Sequence, residues 1–220
     1  MTDFSDITHL LFDHDGVLVD TEYWYFLATQ RELAELNIEI TIEDYLQQLV
    51  TGESPYAHLL PADETDAFVM RRNRRYEIFL TSQDIQIPGV ENTLAALRTK
   101  YPMAIVTSSL REHFDLIHEQ RNIKEFFEFV IARGDYEHAK PAPDSYLTAL
   151  EEFEIEPHQA LVIEDSARGL ASALATGIRC VIVKNEFTAT QDFSSATAKI
   201  DHIADLPGLL GFRMPGLHAD

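Results

Sequence analysis

The chain has 220 residues, 45% of them hydrophobic and 25% charged, enough to bury a substantial core as one large domain or two modest ones. Seventeen basic residues stand against thirty-seven acidic ones, a formal net charge of −20. That balance argues against non-specific binding to nucleic acid or to an anionic membrane, so an anionic ligand would have to be captured by local cations. Cys180 is the single cysteine, which excludes an internal disulfide and any multi-cysteine metal cluster.

The start, "MTDFSDITHL", is acidic and has neither a basic leader nor a long apolar stretch, so no secretory signal is expected. No run reaches the roughly 18 apolar residues of a membrane span, and a cytoplasmic location is the expectation. The first predicted strand is "HLLFD" (9–13), which leads into "LLFDHDGVLVDTE" (10–22). Asp13 and Asp15 stand one residue apart, with Gly16 directly behind. Extended geometry points both carboxylates the same way, so their repulsion has to be offset by a divalent cation or by a shared proton.

About ninety residues separate this strand from the next, where a simple crossover needs a dozen or so, and the interval reads as an all-helical insertion. Helices are predicted at "DTEYWYFLATQRELAEL", at "TIEDYLQQLV", and from Pro61 to Ser82, where "PADETDAF" supplies acids suited to a helix amino end. "WYF" (24–26) and "FVM" (68–70) read as the core of the insertion, and "IQIPGV" (85–90) as its return linker. The domain reading is therefore a core of residues 1–16 and 87–220 with a small helical domain at 17–86. "RRNRR" (71–75) is unusual among so many acids. Helical spacing keeps the four arginines off a single face, so at least two belong to a solvated surface. Arg72 and Arg75 are the candidates for a second anionic group on a substrate.

After the insertion come "MAIVT" (103–107), "FEFVIA" (127–132), "ALVIED" (160–165) and "RCVIV" (179–183). These near-continuous apolar runs alternate with helical patterns such as "GVENTLAALRTK", "PDSYLTALEEF" and "SARGLASALATG", as in a doubly wound, Rossmann-like parallel α/β sheet. Residues 206–220, with two prolines and three glycines, are expected to be loosely structured. Ligands of such sheets sit beyond the carboxyl ends of the strands. Those ends carry Asp13, Asp15 and Gly16; then Thr107, Ser108 and Ser109; then Glu164 and Asp165; and Lys140 stands in "KPAPD" between the last two groups. Each motif alone reads equally well as a turn or a helix cap, but their conjunction in this order does not.

With these four motifs the chain resembles the haloacid dehalogenase superfamily, in the branch of β-phosphoglucomutase and many small-molecule phosphatases. "DHDGVLVDTE" is similar to its first motif, Thr107 to its second, Lys140 in "KPAPD" to its third and "EDSARG" to its fourth, and the insertion to its small helical cap. His14 departs from the apolar residue usual at its position and is expected to face away from the site.

The resemblance implies a phosphatase for a small phosphorylated metabolite, such as a sugar phosphate. Asp13 would be the nucleophile, forming an aspartyl-phosphate. Asp15, held protonated by neighbouring negative charge, would be the general acid and base. Mg²⁺ would be held by Asp13 and Asp165, the Asp15 carbonyl, and Glu164 directly or through water. Thr107 and Lys140 would hold the phosphate, with Gly16, Ser108 and Ser109 around it. A phosphomutase using the same residues and a non-catalytic receiver-like module are the rival readings. A dehalogenase or phosphonatase would lack an acid at position 15. A monomer or small homo-oligomer is expected, with specificity in the helical insertion or in the "LVTGESPY" loop.

Overall fold

The computed structural model describes residues 3–51, 56–119 and 121–212. A six-stranded parallel sheet runs in the order β3-β2-β1-β4-β5-β6, with β1 His9–Phe12, β2 Met103–Leu110, β3 Phe129–Arg133, β4 Ala160–Glu164, β5 Arg179–Val183 and β6 Ala198–Ile200. Side chains alternate between its faces, as the pleat requires. Leu10, Phe12, Ile105 and Ile163 join one apolar layer, and Leu11, Val106, Val162 and Ile182 the other. Both layers are closed by helices. α4 (Val90–Leu97) and α5 (Arg111–His118) cover the first, while α6 (Asp144–Phe153) and α7 (Ala167–Ala175) cover the second. Burial on both faces explains why the strands carry no polar alternation.

β1 lies between β2 and β4, with Phe12 opposite both Ile105 and Ile163. This register sets Asp13 beside Glu164 at the carboxyl edge, and the Asp13 amide donates to the Ile163 carbonyl at 2.8 Å. β2 runs on past the predicted end at Thr107 as far as Leu110, with a shift of register between Val106 and Leu110. Irregularities of this kind re-aim side chains at strand ends, and here they fall on Thr107, Ser108 and Ser109.

Between β1 and β2 lie α1 (Glu22–Glu35), α2 (Ile42–Thr51) and α3 (Thr65–Ser82). They enclose apolar clusters of their own, one around Phe26, Leu33, Tyr45 and Phe68, and a second around Ala28, Tyr76, Phe79 and Leu80 that also takes in Ile117 of α5. The chain segments entering and leaving this insertion run side by side. Val19 bridges to both Asp15 and Gln86, and the Asp20 amide donates to the Ile85 carbonyl at 2.9 Å. Phe26 and Phe68 are buried as expected, but Met70 is 58% exposed, because it falls on the outer face of α3.

The end of the chain holds one strand the apolar pattern does not reveal and one expectation that needs correction. The three-residue β6 was too short to stand out as an apolar run. Residues 206–212 are ordered, since α8 (Leu206–Leu209) brings Leu206 and Leu210 into the first core layer. The remainder of the expected loose tail, 213–220, and positions 52–55 of the "LVTGESPY" loop lie outside the described residues. Among the described residues no helix is long and apolar enough to cross a membrane.

Candidate active site

Lys140 organises the carboxyl edge of the sheet. Its ammonium, almost fully buried, donates to Asp13 Oδ1 at 2.5 Å, to Glu164 Oε1 at 2.7 Å and to the Val106 carbonyl at 2.9 Å, which uses all three of its protons. Glu164 is saturated as well. Its Oε1 also accepts from the Tyr146 hydroxyl at 3.0 Å, while Oε2 accepts from the Asp165 and Ser166 amides and from Ser166 Oγ. Glycine is required at 169, where a Cβ would stand 1.8 Å from Glu164 Oε1.

Asp13, Glu164 and Asp165 each bring a carboxylate oxygen within 4.8 Å of the others. One ammonium cannot balance three buried carboxylates, and the titration of the cluster reflects this. Burial, then the charge of Glu164, pushes Asp13 up to about 7. The same two causes, with Asp13 added, push Asp165 well up. Glu164 ends below the usual carboxylate range because Lys140 and its hydrogen bonds outweigh the cost of its burial, and Lys140 is raised in turn by Asp13 and Glu164 against its own burial. Oxygen donors carrying excess negative charge are the donor set of a hard divalent cation. Asp13 and Asp165 have free oxygens to offer it. Glu164, with both oxygens committed, braces Lys140 instead of facing a cation directly.

Asp15 sits in a different environment. Thr21 Oγ1 donates to its Oδ1 at 2.5 Å, and Ser109 Oγ to its Oδ2 at 2.6 Å, where Thr107 Oγ1 and His14 Nδ1 also stand at 3.4 Å. Burial raises this carboxyl, but His14 and the Ser109 and Thr21 hydroxyls outweigh it and hold it below the usual range. The expectation that neighbouring negative charge raises Asp15 is therefore corrected, because its hydrogen-bonding partners and His14 hold the carboxyl down instead. His14 is corrected too, because its ring does not face away but has one nitrogen turned to Asp15.

The remaining candidates divide. Thr107 is fully buried, with its hydroxyl accepting from the Ser109 amide at 3.0 Å. Ser108 Oγ is buried without a partner among the described residues. Gly16 does not offer its amide to a ligand, as expected of a substrate-binding position, because that N–H donates to the Val19 carbonyl at 2.8 Å. Its φ of 79° and the lack of a side chain are what matter, since a Cβ there would lie 2.0 Å from Asp165 Oδ2.

Arg75 is also corrected. Its Nε donates to Glu32 Oε1 at 2.7 Å, and Arg71 joins the same carboxylate at 3.2 Å, so both pin α3 to α1. Arg74 is exposed. Arg72 alone of the four is buried, at 3% exposure, with its guanidinium 4.1 Å from the Tyr25 ring centre and 5.3 Å from that of Tyr56. No carboxylate pairs with it among the described residues, and its Nη1 is buried with no partner.

Several site residues were not anticipated. Asn185, whose Nδ2 donates to Asp165 Oδ2 at 3.0 Å, stands just past β5, so the strand-end rule could have found it. Thr21 and Glu22 flank the start of α1, and burial with the Asp15 charge pushes Glu22 up to about 7. Tyr146 reaches Glu164 from the buried face of α6, where the sequence shows only one more apolar position.

The haloacid dehalogenase-like hydrolase family model matches residues 10–183, a span that holds all four motifs. The protein CbbY of Cereibacter sphaeroides is 30% identical over 93% of this chain and 96% of its own length. A probable pseudouridine-5'-phosphatase of Drosophila melanogaster is 29% identical over 90% of this chain and 91% of its own. Among solved structures, a point variant of CbbY from Rhodobacter sphaeroides in complex with xylulose-(1,5)-bisphosphate superposes with a TM-score of 0.79 at 25% identity, covering 91% of this chain and 96% of that one. On its motifs, its fold and these matches, the chain belongs to the haloacid dehalogenase-like hydrolase family.

Proposed function

We propose that this protein is a Mg²⁺-dependent phosphatase of a small phosphorylated metabolite, working through an aspartyl-phosphate on Asp13, with residues 17–86 as a cap over a core formed by 1–16 and 87–220. The observation that carries this reading is the cluster of three buried carboxylates against the single ammonium of Lys140. Phosphatase names among the relatives support it. Asp13 attacks phosphorus, dividing the hydrolysis into two easier displacements. Asp15 takes up a proton when the phosphate dianion enters beside it, gives that proton to the leaving alcohol, and then removes one from the attacking water. Thr107 and Ser108 receive equatorial phosphate oxygens, and Lys140 offsets their charge. Asp13, Asp165 and the Asp15 carbonyl would hold Mg²⁺, which supplies charge neutralisation and alignment of phosphate with nucleophile.

A screen of phosphorylated metabolites with Mg²⁺, reading released phosphate, tests the reading. Activity is expected to vanish in excess EDTA, to return with Mg²⁺ and to return poorly with Ca²⁺, whose looser coordination misplaces the nucleophile. Full activity in EDTA would overturn it. Binding should also depend on pH in a definite sense. A carboxyl raised to about 7 in the folded protein contributes stability that is present below its unfolded pKa and is lost as pH rises through the folded one. Mg²⁺ relieves that loss, so its increment in Tm is expected to be larger near pH 8 than near pH 5. Equal increments at both would place the cation elsewhere.

Arg72 supports a substrate with a second anion, because a buried guanidinium set against two tyrosines, with no carboxylate partner among the described residues, is a ready receptor for one. A bisphosphate of the kind seen with CbbY would suit it. Arg72→Ala is expected to raise KM for such a substrate, at a cost of about 1.5 to 3 kcal/mol, or roughly tenfold to a hundredfold in kcat/KM. p-Nitrophenyl phosphate, with no second anion, should be little affected. Equal losses on both would assign Arg72 to packing alone.

A further inference from the structure

Behind Asp15 lies a pair of buried imidazoles that the reaction as described does not use. His14 is fully buried and His118, in the last turn of α5, is 5% exposed. Their Nε2 atoms are 2.8 Å apart, and both rings pack on Phe114, at 4.9 and 4.6 Å between centres. His14 Nδ1 stands 3.4 Å from Asp15 Oδ2, and His118 Nδ1 is buried with no partner among the described residues. An apolar side chain at 14 would fill the space against Phe114 without leaving a buried ring nitrogen unsatisfied. The arrangement is costly as packing and makes sense if it acts on Asp15.

The positions of the nitrogens dictate where the protons lie. With one proton on each ring, the short N···N contact needs one donor and one acceptor. If His14 donated from Nε2, its Nδ1 lone pair would face the Asp15 carboxylate, and His118 would bury an orphaned N–H. If His118 donates instead, His14 carries its proton on Nδ1, directed at Asp15, and the atom left without a partner is only a lone pair. The other groups on Asp15, from Thr21, Ser109 and Thr107, are hydroxyls that rotate and can either donate or accept. The imidazole N–H has its direction fixed by the ring plane.

We propose that His14 and His118 form a positioning strut for Asp15: His14 Nδ1–H orients the carboxylate toward the leaving group, and His118 fixes the tautomer that lets it do so. The proposal rests on the acid–base role given to Asp15. The contact is long for such a bond, so a partial effect is expected, confined to the step that needs proton transfer.

The test compares kcat/KM, which reads the first displacement and not the hydrolysis of phospho-Asp13 common to both substrates, for phenyl phosphate and for p-nitrophenyl phosphate, whose better leaving group needs less proton assistance, with Asp15→Asn as the reference. His14→Leu is expected to lower kcat/KM for phenyl phosphate about fivefold to thirtyfold and for p-nitrophenyl phosphate by about twofold or less. His118→Leu should reproduce the pattern more weakly. His118→Gln, whose amide can donate from nearly the same place as Nε2–H, should restore the activity. The double leucine variant should be no slower than His14→Leu, since both act through one contact. If His14→Leu does not fold, the His118 variants decide, because they reach Asp15 only through His14. Equal losses on both substrates, no loss at all, or failure of glutamine to rescue would overturn the strut while leaving Asp15 its role. If Asp15→Asn itself shows no leaving-group contrast, the acid–base role falls and the strut falls with it.

Discussion

Asp13→Asn is expected to lower phosphate release on the order of ten-thousandfold or more, the scale seen when an enzyme loses its nucleophile, with the protein as stable as before or more so. The second half of this expectation follows from the charge balance of the cluster. Asp13 is pushed up to about 7 by its burial and by Glu164, so its ionised form is disfavoured in the folded protein. Asparagine has nearly the same volume and no charge. Lys140 would keep Glu164 and the Val106 carbonyl as partners, so no buried ammonium is left stranded. A melting curve near neutral pH should show a Tm equal to or above that of the wild type, and the increment produced by Mg²⁺ should shrink. Loss of activity together with a lowered Tm would indicate collapse of the site, and retention of more than a few per cent of activity would move the nucleophile elsewhere.

Much of this site is legible in the sequence because parallel strands buried on both faces announce themselves as apolar runs, and ligands gather where those runs stop. Asp13, Thr107, Glu164 and Asp165 were found in this way. The sheet adds what spacing cannot give: Phe12 opposite both Ile105 and Ile163 brings groups about 150 residues apart into one cluster. Three features stayed hidden, for different reasons. Short β6 makes too few apolar positions to register. Which of Arg71, Arg72, Arg74 and Arg75 turns inward depends on the phase of α3 against α1, and Glu32, the residue that claims Arg71 and Arg75, lies some forty positions away in the chain. The part played by His14 depends on His118, about a hundred positions downstream, and no local pattern links the two. The departure at His14 was visible, but the direction of its ring was not.

Asp15→Asn is expected to separate the two halves of the reaction. Asparagine fits among Thr21, Ser109 and Thr107, whose hydroxyls can donate to its carbonyl or accept from its amide, so the fold should be kept. The asparagine can neither give a proton to a leaving alcohol nor take one from water. With an alkyl phosphate, whose departing oxygen needs that proton, the first displacement should slow by roughly a hundredfold to ten-thousandfold, the usual contribution of a general acid. With p-nitrophenyl phosphate the leaving group departs with little help, so the first step should proceed and the second should stall. A burst of p-nitrophenol is then expected, followed by slow turnover. Mass spectrometry of the quenched protein should find one added phosphoryl group, on the peptide containing Asp13. A wild-type pH profile adds to this, since an Asp15 held low by its contacts that had to be protonated before substrate arrives would confine activity to acid pH and lose it as pH rises toward neutral. Equal losses on both substrates with no trapped phosphoryl group would make Asp15 a structural or cation-site residue, and the proton for the leaving group would have to come from another acid near the cleft.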